Sequence, residues 1–320
     1  MRVLSLAGGG YLGLYTARVL EALEAKAGEP IGRCFDLVAG TSIGGILALG
    51  VAYEIPMSRM VRLILDEGPQ VFSSRALPSG TVGRLVDLTR SVLGPKYTGE
   101  ALRRLLQAEL GEQTLDEARH PVLLPAVDVT RCRTKIFKSP HCPASRGDEG
   151  LSAVDVAMAT SAAPAYFPSV RIGQGLYADG GLFAVAPDEV ALHECEHFIG
   201  VEPSRVSMLS IGTATHRYLP PEGVREDAGA VGWLSDGRLV MTLLSVQQEH
   251  VAAMMEDRLG ERYLRLDADW PGEAGLGIDV ATPRAAQTLL GLADATMKAL
   301  DADRLAAVFE SARASSRPRS

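Results

Sequence analysis

The chain has 320 residues, of which 47% are hydrophobic, and its 39 acidic and 32 basic side chains give a formal net charge of −7. A chain of this size buries about three quarters of the surface that it exposes when unfolded, which excludes a disulfide-stapled mini-protein and a disordered tail. The acidic balance offers no long-range attraction to DNA or RNA, so nucleic acid is excluded as a partner.

The first 55 residues alternate between strand and helix patterns. An apolar strand is predicted at residues 2–6, a helix with one apolar face at 12–26 and a second strand at 35–39, followed by another helix. A β-α-β-α start implies parallel strands covered by helices. We therefore predict an α/β fold, a three-layer α/β/α sandwich with a mainly parallel central sheet.

The remainder of the chain adds further helices and strands. Residues 66–98 are rich in Gly, Pro, Ser and Arg around a helical piece, and we expect a lid or cap there. No linker is long enough to divide the chain, so we predict a single domain over residues 1–310, mainly helical from 216, and a frayed tail at 311–320. The other predicted elements are strands at 122–127 and 206–211 and helices at 99–109, 155–162, 233–259 and 285–309.

Cysteine usage and apolar run length indicate a compartment. The four cysteines show no C-x-x-C spacing, and the first residues look like a strand and not like a leader peptide. The best apolar run, at 43–53, is shorter than the roughly 18 residues of a spanning helix. We expect a cytoplasmic chain with reduced thiols that does not cross a membrane.

The sharpest local motif is the G-x-S-x-G of Gly40-Thr41-Ser42-Ile43-Gly44, placed between a predicted strand and a predicted helix. In a nucleophile elbow the serine occupies a tight turn, and its small neighbours let strand and helix approach closely. The following backbone N–H then points toward an oxyanion at the positive end of the helix. An ordinary Gly/Ser turn is the alternative.

A second motif follows the first strand, where Gly8-Gly9-Gly10-Tyr11-Leu12-Gly13 satisfies G-x-G-x-x-G. A dinucleotide site would need an acidic residue at the end of the second strand. Asp36 lies near the beginning of that strand, so the dinucleotide hypothesis is the weaker one. Successive glycine N–H groups instead predict an anion nest, here an oxyanion hole beside Ser42.

A third motif supplies a base. Asp179 ends the strand-like Tyr177-Ala178-Asp179 and is followed by Gly180 and Gly181. Asp-Gly-Gly alone is most often a turn. With Ser42 and the glycine nest, however, Asp179 would accept the hydroxyl proton and return it to a leaving alkoxide, provided that partial desolvation makes the carboxylate basic.

These motifs, together with ATSAAPAYFP at 159–168, occur in an order that resembles the patatin-like phospholipase family over most of residues 1–215. The resemblance implies a Ser-Asp dyad with Ser42 as nucleophile and Asp179 as base. It also implies an oxyanion loop shaped by Gly8, Gly9, Gly10 and Gly13, and no metal or organic cofactor. One departure is Leu12, where the family usually carries Arg or Lys, and we expect weaker anchoring of the loop.

Softer cues at 13–20, 191–198 and 209–213 resemble bacterial anti-phage patatin-like effectors. That resemblance implies activation by a cyclic dinucleotide such as cyclic GMP-AMP, hydrolysis of membrane glycerophospholipids at the inner face of the membrane, and a homo-oligomer. No residue by itself indicates a nucleotide site. Four basic residues could bind phosphates or could simply form a solvated strand face: Arg131, Arg133, Lys135 and Lys138. A constitutive lipase and a catalytically weak nucleotide-binding oligomer are the alternatives.

One further pattern suggests metal chemistry. His193-Glu194-Cys195-Glu196-His197 is a literal H-E-x-x-H, which on a helix places both histidines on one face with Glu194 as base. It follows a complete serine site and lacks an evident third ligand. We therefore expect no catalytic metal.

Overall fold

The computed structural model describes residues 1–72, 94–219, 229, 232–233, 237–272, 275–301 and 303–306. Within these residues an eight-stranded sheet forms the centre of the molecule. Its strands are β1 (Arg2–Leu6), β2 (Leu37–Gly40), β3 (Val122–Asp128), β4 (Arg133–Lys138), β5 (Val170–Ile172), β6 (Gly175–Asp179), β7 (Ser207–Ile211) and β8 (Tyr263–Leu266).

The sheet has the order β5-β6-β3-β2-β1-β7-β8, with β4 paired to β3 as well. The five strands from β8 to β3 are parallel, whereas β4 and β6 pair antiparallel with β3. Leu6 pairs with Gly40 on one side and with Ile211 on the other. The carboxyl ends of β1, β2 and β7 therefore lie level at one edge, where the loops that follow them meet.

Eight α-helices of the described residues surround the sheet. They are α1 (Gly13–Ala27), α2 (Ile43–Ala52), α3 (Met57–Val71), α4 (Glu100–Leu110), α5 (Ala153–Thr160), α6 (Asp188–His193), α7 (Arg238–Leu259) and α8 (Pro283–Ala299). None of these helices is both long and apolar enough to cross a membrane.

Alternation of side chains along the strands divides the core into two layers. Leu4 and Val38 pack on one face of the sheet with residues of α1, α2 and α8, whereas Val3 and Leu37 pack on the other with residues of α6 and α7. Successive strand residues point to opposite faces, and both faces are apolar because helices cover both. The predicted three-layer α/β/α fold with a mainly parallel sheet is confirmed.

Several elements differ from the sequence-based expectation. The patterns did not indicate α3, β5 or β8, and α3 occupies the start of the segment expected to be a lid. Helix α8 ends at Ala299, and residues 303–306 are helical again, whereas residues 307–309 of the expected helix lie outside the described residues. Most of the expected lid, at 73–93, and the expected tail at 311–320 lie outside the described residues. The single-domain extent of 1–310 stays a prediction.

Candidate active site

Ser42 lies in the turn between β2 and α2, in a conformation that side chains rarely adopt. Its φ is 57° and its ψ is −124°. A Cβ on Gly40 would lie 2.1 Å from the carbonyl oxygen of Gly44, and a Cβ on Gly44 would lie 2.2 Å from that of Leu6. Only glycine fits at either position. Such strain persists where the surrounding structure enforces it, as in a nucleophile elbow.

Two threonines hold the elbow in place. The backbone N–H of Ser42 donates to Oγ1 of Thr160 at 3.1 Å, and that hydroxyl donates to the Pro125 carbonyl at 2.6 Å. The Thr41 hydroxyl donates to the Ala184 carbonyl at 2.7 Å. The turn is thus tied to the end of α5, to β3 and to the segment after β6.

The glycine loop after β1 lies directly against this turn. A Cβ on Gly8 would sit 3.3 Å from Cβ of Ser42, and a Cβ on Gly13 would sit 2.3 Å from the Ile43 side chain. Gly10 has a φ of +59°. The loop can approach Ser42 this closely only because side chains are missing.

The backbone hydrogen bonds narrow the set of oxyanion donors. The Gly8 N–H donates to the Val185 carbonyl at 2.8 Å, and the Gly13 N–H donates within its own helical turn to the carbonyl of Gly10. In the part of the chain that the structure describes, the N–H groups of Gly9 and Gly10 donate to no protein acceptor. Gly8 and Gly13 therefore shape the loop, while the N–H groups of Gly9 and Gly10 are available as donors to an anion.

Asp179 ends β6 and faces the elbow. Its Oδ1 accepts a hydrogen bond from the Gly181 N–H at 2.7 Å, and only 5% of its surface is exposed. Burial raises the pKa of Asp179 from 3.8 to about 6, although hydrogen bonds from the Gly181 N–H and the Ser42 side chain oppose the rise. A Cβ on Gly180 would lie 2.3 Å from the Pro125 carbonyl, so the Asp-Gly-Gly turn packs tightly on β3.

A cavity of about 410 Å³ opens beside these groups. Ser42, Asp179 and the glycines 8–10 line one part of it, and nearly all of the remaining lining is apolar. The volume lies within the range of small-molecule sites. Its apolar side chains come mainly from α3, α4, α7 and the segment after α5: Met60, Leu63, Ile64, Val71, Leu102, Leu105, Leu106, Phe167, Leu239, Leu243 and Leu244.

The structure thus brings the predicted site residues together. Ser42, Asp179, Gly8, Gly9, Gly10 and Gly181 all line the cavity, while Gly13, Gly40, Gly44 and Gly180 form the close contacts that bend the three loops. Sequence reasoning assigned no role to Thr160. The signal was available, because Thr160 lies in the alanine-rich motif at 159–168 and is a hydroxyl residue ending a short apolar helix.

Leu12, at the position where the family usually carries a cation, has its side chain fully buried in the core beside α1. The weaker anchoring of the glycine loop expected from its lack of charge stays a prediction. The adjacent Tyr11 N–H donates to the Ile278 carbonyl at 2.7 Å. This backbone bond and that of Gly8 fix the loop.

The basic residues considered for phosphate binding are all paired with carboxylates. Arg131 and Arg133 contact Asp128 at 2.9 and 3.9 Å, and Lys135 contacts Asp148 at 2.7 Å. Lys138 forms an ion pair with Glu194. The four cations therefore already have carboxylate partners.

The position of Glu194 argues against a metalloprotease site at the H-E-x-x-H pattern. The rings of His193 and His197 stack with centroids 4.1 Å apart, but Glu194 is buried and faces Lys138 and His141 instead. The ligand atoms of His141, Cys142 and Glu194 lie within 4.8 Å of one another, a spacing that a metal ion could bridge. The Lys138 ammonium already supplies the positive charge there, so a cation would have to displace it.

A strained serine and a buried carboxylate of raised pKa lie beside an apolar cavity, together with two backbone N–H groups that have no protein acceptor among the described residues. This arrangement suits attack by a serine on an ester carbonyl. Comparison with protein families agrees: residues 4–192 match the family model described as patatin-like phospholipase. The chain belongs to the patatin-like phospholipase family, and is by that assignment an enzyme of the phospholipase type.

Relatives in several bacteria are similar over most of the chain. A Pseudomonas aeruginosa protein named cGAMP-activated phospholipase is 40% identical over 266 residues, which are 83% of this chain and 77% of the relative. A Vibrio cholerae protein of the same name is 34% identical over 303 residues, which cover 87% of this chain and 84% of the relative. Among solved structures, VipD from Legionella pneumophila matches with a TM-score of 0.41 and 13% identity over 92% of this chain and 67% of VipD, too weak a likeness to bear on the argument.

Proposed function

We propose that the protein is a serine acyl hydrolase that releases fatty acids from membrane glycerophospholipids through a Ser42-Asp179 dyad, and that a cyclic dinucleotide resembling cyclic GMP-AMP activates it in anti-phage defence. The observation that carries the proposal is the joint position of Ser42, on a strained turn, and buried Asp179 in one apolar cavity. The names of the bacterial relatives support the activator and the substrate class.

In the proposed reaction, Oγ of Ser42 attacks the acyl carbonyl carbon while Asp179 takes the hydroxyl proton. The carbonyl oxygen becomes an oxyanion that the N–H groups of Gly9 and Gly10 stabilise. Collapse breaks the ester bond, and Asp179 protonates the departing lysophospholipid alkoxide. A water that gives a proton to Asp179 then attacks the acyl-serine. When this second intermediate collapses, Asp179 returns the proton to Oγ of Ser42, so the fatty acid is released and the free dyad is restored. No metal or organic cofactor enters the cycle.

A pKa near 6 suits Asp179 for this double role. The carboxylate is mainly ionised at neutral pH, yet it is a stronger base than an ordinary aspartate. The apolar remainder of the cavity matches an acyl chain, which has no polar group to satisfy.

The decisive experiment measures hydrolysis of p-nitrophenyl butyrate and of phospholipid vesicles, with and without cyclic GMP-AMP, for the wild type and for folded Ser42→Ala and Asp179→Asn variants. Activity that requires both the dinucleotide and Ser42 is the expected result. Activity without the dinucleotide would indicate a constitutive lipase that is not regulated by nucleotides. Absence of hydrolysis under every condition would favour a nucleotide-binding oligomer, and near-wild-type turnover in Ser42→Ala would end the proposal.

A further inference from the structure

We infer that four exposed apolar side chains at the mouth of the cavity, Leu182, Phe183, Leu243 and Val246, form a rim that inserts into a lipid surface. These side chains are 54%, 36%, 49% and 57% exposed, respectively. The inference rests on the proposed function in one respect, namely that the cavity takes an acyl chain.

The rim is continuous with the cavity. Leu182 and Leu243 are both exposed to solvent and part of the cavity lining, so apolar surface extends from the outside of the molecule to Ser42. The two rim segments are also held together: Nε2 of Gln247 donates to the Gly181 carbonyl at 3.3 Å, which joins the third turn of α7 to the 3₁₀ turn after Asp179.

Exposure along α7 supports a local surface. Leu243 and Val246 occupy exposed positions near the cavity, one helical turn apart. Farther along the same helix the exposed positions are mostly polar or charged, with Glu249, His250, Glu256, Asp257 and Arg258. Exposed apolar side chains that cluster on one part of a helix indicate a contact site, whereas an ordinary solvated face is mainly polar.

A bilayer explains this arrangement better than a water-soluble substrate does. An acyl chain that leaves a bilayer through water exposes its whole apolar surface on the way. If the rim is embedded in the bilayer, the acyl chain passes from the bilayer over Leu182 and Leu243 into the cavity without contacting water. A small soluble ester would need the cavity but no apolar collar around its mouth.

The test measures binding to phosphatidylcholine vesicles in a Ser42→Ala background, so that the lipid stays intact, with and without cyclic GMP-AMP. Val246→Glu is expected to lower the vesicle partition coefficient at least tenfold, and Val246→Trp to raise it, since tryptophan favours the membrane interface. Val246 is not among the residues that line the cavity. With Ser42 present, hydrolysis of p-nitrophenyl butyrate by Val246→Glu should stay within twofold of the wild type.

Met254→Glu is the matched control. Met254 is another exposed apolar side chain of α7, 36% exposed, and lies eight residues farther from the rim, about 12 Å along the helix axis. It should bind vesicles like the Ser42→Ala parent. Equal binding by Val246→Glu and its parent would overturn the inference.

Two other outcomes would also overturn it. If Val246→Glu changes the sedimentation coefficient of the free protein, the face is a contact between copies of this chain. If the parent protein does not bind vesicles while the wild type still hydrolyses the soluble ester, the rim is not a lipid surface although the hydrolase proposal survives. Conversely, Ser42-independent ester hydrolysis would defeat the hydrolase proposal and leave the vesicle measurement interpretable.

Discussion

Asp179 combines two properties that an exposed aspartate cannot have together. Its carboxylate is buried beside Ser42, which raises its pKa to about 6, and the single backbone bond from Gly181 keeps it pointed into the turn. Desolvation penalises the charged form, and no cation among the described residues acts on the Asp179 carboxylate to restore its usual pKa. The same burial that makes it a better base also makes its ionised form unfavourable for folding.

The first consequence concerns the pH dependence of activity. Because the proposed mechanism needs ionised Asp179, kcat/KM for p-nitrophenyl butyrate should rise with pH through an apparent pKa of about 6 and level off above it. The measurement is a pH-rate profile from 4.5 to 8.5 under activating conditions. A profile flat between 5 and 7 would contradict Asp179 as the base.

The second consequence concerns stability. The folded state holds the Asp179 proton up to a pKa near 6 while the unfolded chain loses it near 3.8, so this group makes the protein less stable as pH rises between the two values. Two pKa units correspond to about 3 kcal/mol. Asp179→Asn should therefore unfold at higher urea concentration than the wild type at pH 8, and the difference should shrink toward pH 5. A variant equally or less stable at pH 8 would argue against this burial penalty.

At the scale of elements, the site depends on where three strands end. β1 leads into the glycine loop, β2 into the serine turn and β6 into Asp179-Gly180-Gly181, while β3 lies between β2 and β6. Thr160, at the end of α5, bonds both the Ser42 N–H and the Pro125 carbonyl of β3. We therefore expect Thr160 to position Ser42. It connects the serine turn to β3, and β3 pairs with β6, the strand that ends at Asp179.

Thr160→Val tests this connection, because valine keeps the shape and removes the hydroxyl. Thr160 is fully buried, so the change removes the hydroxyl that bonds the half-buried Ser42 N–H and the buried Pro125 carbonyl, and it should cost about 1–3 kcal/mol of unfolding free energy. A loosened Ser42 should lower kcat by roughly tenfold to a hundredfold, with little change in KM. Urea unfolding and ester kinetics measure both. Thr160→Ser, which keeps the hydroxyl, should restore kcat; if it does not, the role is one of packing.

The local motifs could be predicted from the sequence because each depends on neighbours in the chain. Glycines at fixed offsets from Ser42 and Asp179 indicate tight turns after strands, and the structure has those turns after β2 and β6. The boundaries of α1, β2 and β7 differ by one or two residues from the expectation, the usual ambiguity of helix and strand ends.

The cavity and β8 could not be found in this way. β8 is four residues long and contains Arg265, whose burial depends on pairing with Asp267 and on acceptors from β7 and α7. Such a partner set is invisible before the chain has folded. By contrast, α3 had a usable signal, since buried Met57, Met60 and Val61 recur at helical spacing. The cavity lining comes from helices far apart in sequence.

For the whole molecule, the formal net charge of −7 constrains the proposed docking onto a lipid surface. An anionic leaflet repels a chain of this sign within about one Debye length, roughly 8 Å at physiological salt. The rim residues carry no charge, so the favourable part of docking is apolar burial, which salt does not screen. The apolar attraction and the electrostatic repulsion can therefore be distinguished by varying the lipid composition and the ionic strength.

This separation yields the last prediction. Partitioning of the Ser42→Ala protein onto zwitterionic phosphatidylcholine vesicles should change little as NaCl rises from low to high concentration, because burial of the rim is not electrostatic. Replacing part of the lipid by phosphatidylglycerol should weaken binding at low salt, and added NaCl should reverse that loss by screening the repulsion. Co-sedimentation over a matrix of lipid charge and salt measures both effects. Stronger binding to anionic vesicles, weakened by salt, would instead mean that a local basic face outweighs the net charge and that docking is chiefly electrostatic.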